Sequence, residues 1–186
     1  MDIKTAMETL HYNPKWFQYG FIDDQALKSQ MDALSFDSDA CLEHYRFDAF
    51  KSLLSSRRQL DNSTVDHFIE LAELDEDQTM AESALGLLVK HKDLTTSQLN
   101  RLKTHPAYAT QALQEIITRM ELSRILDSSE PIEDIIHRCI TLGDNTVQRK
   151  LVQNPDISKE QLELIAKSGI NRAVRNLARE KLRSSR

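Results

Sequence analysis

One short pattern recurs five times along the 186-residue chain: an apolar residue, a residue able to cap a helix, three further residues, then a second apolar residue. It reads Ile22-DDQA-Leu27, Phe36-DSDA-Cys41, Leu60-DNST-Val65, Leu94-TTSQ-Leu99 and Ile157-SKEQ-Leu162. The Asp, Thr or Ser side chain can accept from a free N–H of a helical first turn, and the apolar residue before it can staple onto the helix. Thr95 with Gln98, and Ser158 with Gln161, have the spacing of a full capping box. One cap contributes about 1 kcal/mol, so the weight lies in the recurrence, which argues for a repeated helical onset. Composition agrees: 24 leucines stand against five valines, with four glycines and four prolines, and scarce β-branched residues favour helix over sheet. The predicted class is all-α.

The periodicity predicts helices over 2–11, 23–34, 38–56, 62–75, 77–91, 95–104, 106–122, 131–142, 144–153, 158–168 and 170–183. Asn13-Pro14 should stop the first of these, because proline lacks an N–H and disfavours helical geometry in the residue before it. Pro106 and Pro131 fall where a first turn tolerates proline, and Gly143 and Gly169 where a helix should end. The short connections predict antiparallel neighbours. Five of the eleven aromatic residues lie in the ten positions from Tyr12 to Phe21, and nine in the first fifty residues. Residues 1–58 are read as an aromatic-rich N-terminal cap, closing one end of a single domain over 1–186 whose remainder, 59–186, consists of degenerate helical repeats. An aromatic binding cleft around Trp16 and Tyr19 is the other reading of the same residues.

Self-comparison supports the repeats. A shift of 63 places Val89, Asp93, Leu94, Leu99 and Leu102 on Val152, Asp156, Ile157, Leu162 and Ile165. A shift of 26 places Ile136, Cys139, Asn145, Arg149, Leu151 and Val152 on Leu162, Ile165, Asn171, Arg175, Leu177 and Ala178. The run Leu151-Val152-Gln153-Asn154-Pro155, then Leu162, Ile165 and Ala166, then Val174-Arg175-Asn176-Leu177-Ala178 resembles the bacterial variant leucine-rich repeat, an all-helical relative in form of HEAT and armadillo arrays. The resemblance covers about forty residues (144–182) and departs from the family at Gln148, where Arg follows Val in the pattern. It implies an irregular right-handed α-α superhelix of antiparallel helix pairs and a binding role, and it implies no catalytic residues.

Charge is polarised along the chain. Asp61 to Glu82 holds eight acidic residues and no Lys or Arg, whereas 137–186 holds eleven basic residues against five acidic, within a net charge of −5. Such polarity can steer different partners or head-to-tail self-association. Arg172, Arg175, Arg179 and Arg183 fall in one narrow sector of the last helix, opposite Val174, Leu177, Ala178 and Leu182. That stripe suits either a polar outer face on a terminal repeat or recognition of phosphate and acidic side chains. Asp75, Glu76 and Asp77, within the acidic block, are candidates for a basic partner, including an inhibitor or immunity-like arrangement.

No HExxH, P-loop, GxSxG or Gly-rich dinucleotide pattern occurs. His67 with Glu70, and Asp134 with His137, each share a helix face, but they lie about seventy residues apart in an array whose contacts run between neighbours, so no metal is expected, nor any cofactor. Cys41 and Cys139 lack a disulfide framework and are expected to be buried small hydrophobes. The N-terminus has no apolar signal region and no run of about 18 apolar residues occurs, so the expected location is cytoplasmic. The expected function is a non-enzymatic protein–protein interaction module. The alternative is a nucleic-acid-binding HEAT-like protein, including a DNA-repair glycosylase-like enzyme, with Trp16 or Tyr19 stacking on bases.

Overall fold

The computed structural model describes residues 2–37, 39–56, 59–128 and 131–184, and every regular element among them is helical. In chain order these are α1 (Ile3–Thr9), α2 (Lys15–Gln18), α3 (Asp24–Phe36), α4 (Leu42–Ser56), α5 (Asn62–Glu73), α6 (Gln78–Val89), α7 (Thr96–Thr104), α8 (Gln111–Asp127), α9 (Ile136–Thr141), α10 (Asn145–Gln153), α11 (Lys159–Ser168) and α12 (Arg172–Ser184). A 3-10 turn over Pro106–Tyr108 precedes α8. Among the described residues no helix is long and apolar enough to cross a membrane.

Four of the five onset patterns start helices. Asp23 Oδ1 accepts from the Ala26 amide at 2.8 Å and Asp61 Oδ1 from the Thr64 amide at 2.7 Å, opening α3 and α5. Thr95 and Ser158 close full capping boxes with Gln98 and Gln161, opening α7 and α11. In these four patterns both flanking apolar residues are buried: Ile22 and Leu27, Leu60 and Val65, Leu94 and Leu99, Ile157 and Leu162. The fifth pattern fails on that count. Phe36 is 91% exposed at the end of α3, Asp37 is the C-cap of that helix, and Cys41 is exposed rather than buried; Cys139 is buried as expected. Consequently α4 begins at Leu42 and not at 38, a position that itself lies outside the described residues. Without a buried apolar pair, the capping residue has no helix start to stabilise.

Two further expectations are corrected. The single helix expected over 106–122 is split, because His105 is extended at ψ 135° and its Nδ1 accepts from the Ala107 amide, closing the 3-10 turn before α8 starts at Gln111. Pro131 does not occupy a helical first turn. Ile132 to Ile135 closes a turn instead, and α9 starts at Ile136.

The aromatic segment is built by two successive C-terminal caps. After α1 the Tyr12 amide donates to the Met7 carbonyl at 2.8 Å and His11 adopts the left-handed region at φ 58°. After α2 the Phe21 amide donates to the Trp16 carbonyl at 2.9 Å, with Gly20 at φ 64° supplying the reversal that a side chain would resist. The rings that follow the two caps, Tyr12 and Phe21, both meet Trp16 edge-on. The four-residue α2 went unforeseen because it is too short for a periodic signal.

The chain divides into two compact units, Met1–Leu113 and Gln114–Arg186. In the first, α6 packs on α4 and α5, and α1 on α3, over buried residues that include Leu10, Trp16, Leu27, Phe50, Phe68 and Leu88. In the second, α12 packs on α11 and α10, and α9 on α10. Its core joins Leu122, Ile132, Cys139, Leu151, Ile165 and Val174, with Leu177 and Leu182 partly buried against it.

Candidate functional site

The N-terminal aromatics separate into a core and a surface group. Trp16 is 1% exposed, in edge contact with Tyr12 at 5.1 Å and with Phe50 at 4.4 Å between ring centroids, and Phe50 continues to Phe68. It therefore lines no cleft, which corrects the cleft reading at that residue. Tyr19 is half-buried on the surface of the same unit. Its ring stacks on His67 at 3.7 Å and 7°, and its hydroxyl donates to Glu70 Oε2 at 2.6 Å, while the Lys15 ammonium donates to Glu70 Oε1. Hydrogen bonds from Lys15 and then Tyr19 hold the Glu70 carboxyl below its usual range. The same bonds to Glu70 raise the Lys15 ammonium and the Tyr19 phenol. His67 thus covers one face of the Tyr19 ring, and neighbouring side chains engage its hydroxyl.

The acidic block is largely consumed by structure. Asp75 forms a bidentate pair with Arg46, Nε at 2.7 Å and Nη2 at 3.0 Å, with both side chains at or below 5% exposure. Arg46 Nη1 also donates to the Leu10 carbonyl at 3.3 Å, tying α4 to the end of α1. Asp77 caps α6 through the Met80 amide at 2.8 Å, and Glu76 meets His11 at 3.3 Å. Asp61 caps α5, Asp66 pairs with Arg101 at 2.8 Å, and Glu82 accepts from the Thr110 hydroxyl at 2.5 Å. Of the eight carboxylates Asp61, Asp66, Glu70, Glu73, Asp75, Glu76, Asp77 and Glu82, seven have such a partner, so mutual repulsion is relieved inside the unit. Asp75 is buried and Asp77 holds a helix end, which leaves Glu76 as the member of the proposed trio with an exposed side chain.

The arginines of α12 have two roles. Arg175 Nη1 donates to the Gly169 carbonyl at 2.6 Å and Arg179 Nη2 to the Ala166 carbonyl at 3.1 Å, so both cap the C-terminal end of α11. Lys181 does the same for α10, donating to Val152 and Asn154 carbonyls at 2.8 and 2.7 Å. Cations suit these positions because the last carbonyls of a helix lack intrahelical partners and carry its negative dipole end. Arg172 and Arg183 are exposed and carry no ion pair among the described residues, and Arg149 on α10 is likewise exposed and free.

At the start of α12, next to Arg172, two turns meet. Gln148, 1% exposed, donates through Nε2 to the Ile140 carbonyl at 2.7 Å and accepts at Oε1 from the Ile170 amide at 2.8 Å. Asn171 Nδ2 donates to Asn145 Oδ1 at 3.0 Å across the same junction. Leu142 and Ile170 project from the two turns at 49% and 54% exposure, and Arg119 reaches the Leu142 carbonyl at 3.4 Å. The result is an edge of the second unit on which two exposed aliphatic side chains lie beside Arg119 and Arg172. Sequence reasoning found the arginines of α12 but not Leu142, Ile170 or Arg149. The available signals were the placement of the two aliphatics next to Gly143 and Gly169, and the alignment of Arg149 with Arg175.

Among the described residues no group of three or more His, Cys, Asp or Glu side chains is placed to hold a metal ion. No family model, curated protein or solved structure matches the chain.

Proposed function

With no relative to supply a role, we propose that the chain is a non-enzymatic protein–protein interaction module built from HEAT-like helical repeats, and that its partner docks on the edge formed by Leu142, Ile170, Arg119 and Arg172. The observation that carries this reading is the Asn171–Asn145 hydrogen bond, since these residues lie 26 positions apart, the same register that relates the two halves of 136–182. The glycines follow it too. A Cβ on Gly143 would lie 2.2 Å from the Cys139 carbonyl oxygen, and one on Gly169 would lie 2.8 Å from the corresponding oxygen of Ile165. Stacking in register brings corresponding turns side by side, so a side chain exposed in one unit gains a neighbour in the next and a continuous surface forms. Right-handed superhelical winding of such units is part of the same proposal.

The partner that fits is a protein presenting carboxylates around an apolar contact. Arginine favours bidentate carboxylate recognition, and Leu142 and Ile170 add apolar area that a phosphate backbone could not use. The arginine face also supports a second reading, nucleic-acid binding, which predicts a log–log salt slope of about −3.6 for four phosphate contacts. That reading has lost Trp16 to the core, and one face of the Tyr19 ring is already taken by His67.

The test is recovery of partners from cell extract by the full chain, by Leu142→Asp/Ile170→Asp and by Arg172→Glu. All of these residues are exposed, so helicity and melting temperature should hold. A protein recovered by the wild type and lost from both variants supports the surface. Recovery of the same protein by all three chains would remove it, and recovery of nucleic acid with the predicted salt slope would favour the second reading.

A further inference from the structure

An open groove of about 670 Å³ lies in the first unit, between the C-terminal halves of α4 and α6 and the turn that follows α6. Leu54 and Leu87 provide its apolar lining, and Lys51, Lys90 and Lys92 stand around it. His91 braces the two sides. The Asp93 amide donates to His91 Nδ1 at 3.4 Å, which leaves Nε2 as the N–H that donates to the Leu54 carbonyl at 3.1 Å.

The charge here runs against its surroundings. Met1–Leu113 contains eighteen acidic and eleven basic residues, so cations in this unit have carboxylates within easy reach. Lys4, Lys15, Arg46, Lys51 and Arg101 each pair with one. Lys28, Lys90 and Lys92 have no ion pair among the described residues, and of these Lys90 and Lys92 border the groove. Two unpaired ammonium groups over an apolar lining are complementary to a ligand that is itself both acidic and apolar.

We propose that this groove binds an acidic peptide segment of a partner protein, with one large apolar side chain against Leu54 and Leu87 and flanking carboxylates on Lys90 and Lys92. A peptide fits better than a nucleic acid for three reasons. The Asp93 carboxylate borders the groove and would repel a phosphate chain. Among the described residues no Phe, Tyr or Trp lines it to stack a base. The surplus of acid in the unit opposes a long polyanion, while the few carboxylates of a short segment respond to the local lysines. This site is separate from the edge around Leu142 and stands or falls independently of it.

The test is a titration of the uniformly 15N-labelled full chain with the blocked peptide Ac-Asp-Glu-Phe-Asp-Glu-amide, followed by amide chemical shifts. The expected result is saturable shifts at Leu54, Leu87, His91 and Lys92, with none from Ac-Lys-Lys-Phe-Lys-Lys-amide. Lys90→Glu/Lys92→Glu, at exposed positions, should weaken binding at least about tenfold, as charge reversal at a complementary contact does, with an otherwise unchanged spectrum. The proposal is overturned if these amides do not move, if the shifts centre elsewhere, or if the basic peptide acts equally. Undiminished affinity in the lysine variant, or displacement of the peptide by a short uridine oligonucleotide at these amides, would overturn it as well.

Discussion

At the residue scale, several charged side chains of this protein hold its helices to one another. The Arg46–Asp75 pair is the clearest case, because both partners are nearly inaccessible and Asp75 also accepts from the Asp77 amide at 2.9 Å. Removing one member leaves an uncompensated buried charge, so Asp75→Ala should cost about 3–5 kcal/mol of unfolding free energy. Urea denaturation measures this, and a loss below about 1 kcal/mol would mean that the pair is not desolvated in solution. Glu70 gives a pH-dependent counterpart. Its carboxyl is held low by Lys15 and Tyr19, so the stability it contributes is present above the ordinary carboxylate range and is lost as pH falls through the depressed value. Lys15, held high by Glu70, loses its contribution as pH rises through its own raised value. Thermal melts of the wild type and Glu70→Gln should therefore differ near neutral pH and converge in acid. A gap that persisted with Glu70 fully protonated would refute that assignment.

Helix starts tell how much of the fold was legible at the scale of elements. Asp23, Asp61, Thr95 and Ser158 were readable because a cap and its staple are local, within six residues of sequence. Phe36-to-Cys41 has the same letters and fails, since burial of the apolar pair depends on what the rest of the chain brings over it. Asp61→Ala should accordingly destabilise by about 1 kcal/mol, and Asp37→Ala by a few tenths at most. Equal losses in chemical denaturation would show that the letters alone, without burial, decide the start. The same distinction explains the candidate sites. The arginine stripe of α12 was visible from helical spacing, but the use of Arg175 and Arg179 as caps on α11 was not, because it requires knowing which carbonyls lie under them. Trp16 and Tyr19, three residues apart, could not be assigned to core and surface by residue type either. That assignment follows from the caps at His11 and Gly20, which turn one ring inward over Phe50 and set the other against His67.

For the whole molecule, the all-helical class follows from composition and from the recurrent onsets, and every regular element among the described residues is a helix. Function rests on fewer residues. Many polar groups of the first unit are spent on its own architecture, while the second unit keeps Arg172 free in the turn that carries Ile170. An account in which the paired turns form a docking edge makes a local claim, and hydrogen exchange can resolve it. Amide exchange of the full chain should be compared with and without the partner recovered by affinity purification. The account predicts added protection over 142–149 and 169–175, with little change in α5 and α7. Protection confined to other helices, or none in these two turns, would contradict it.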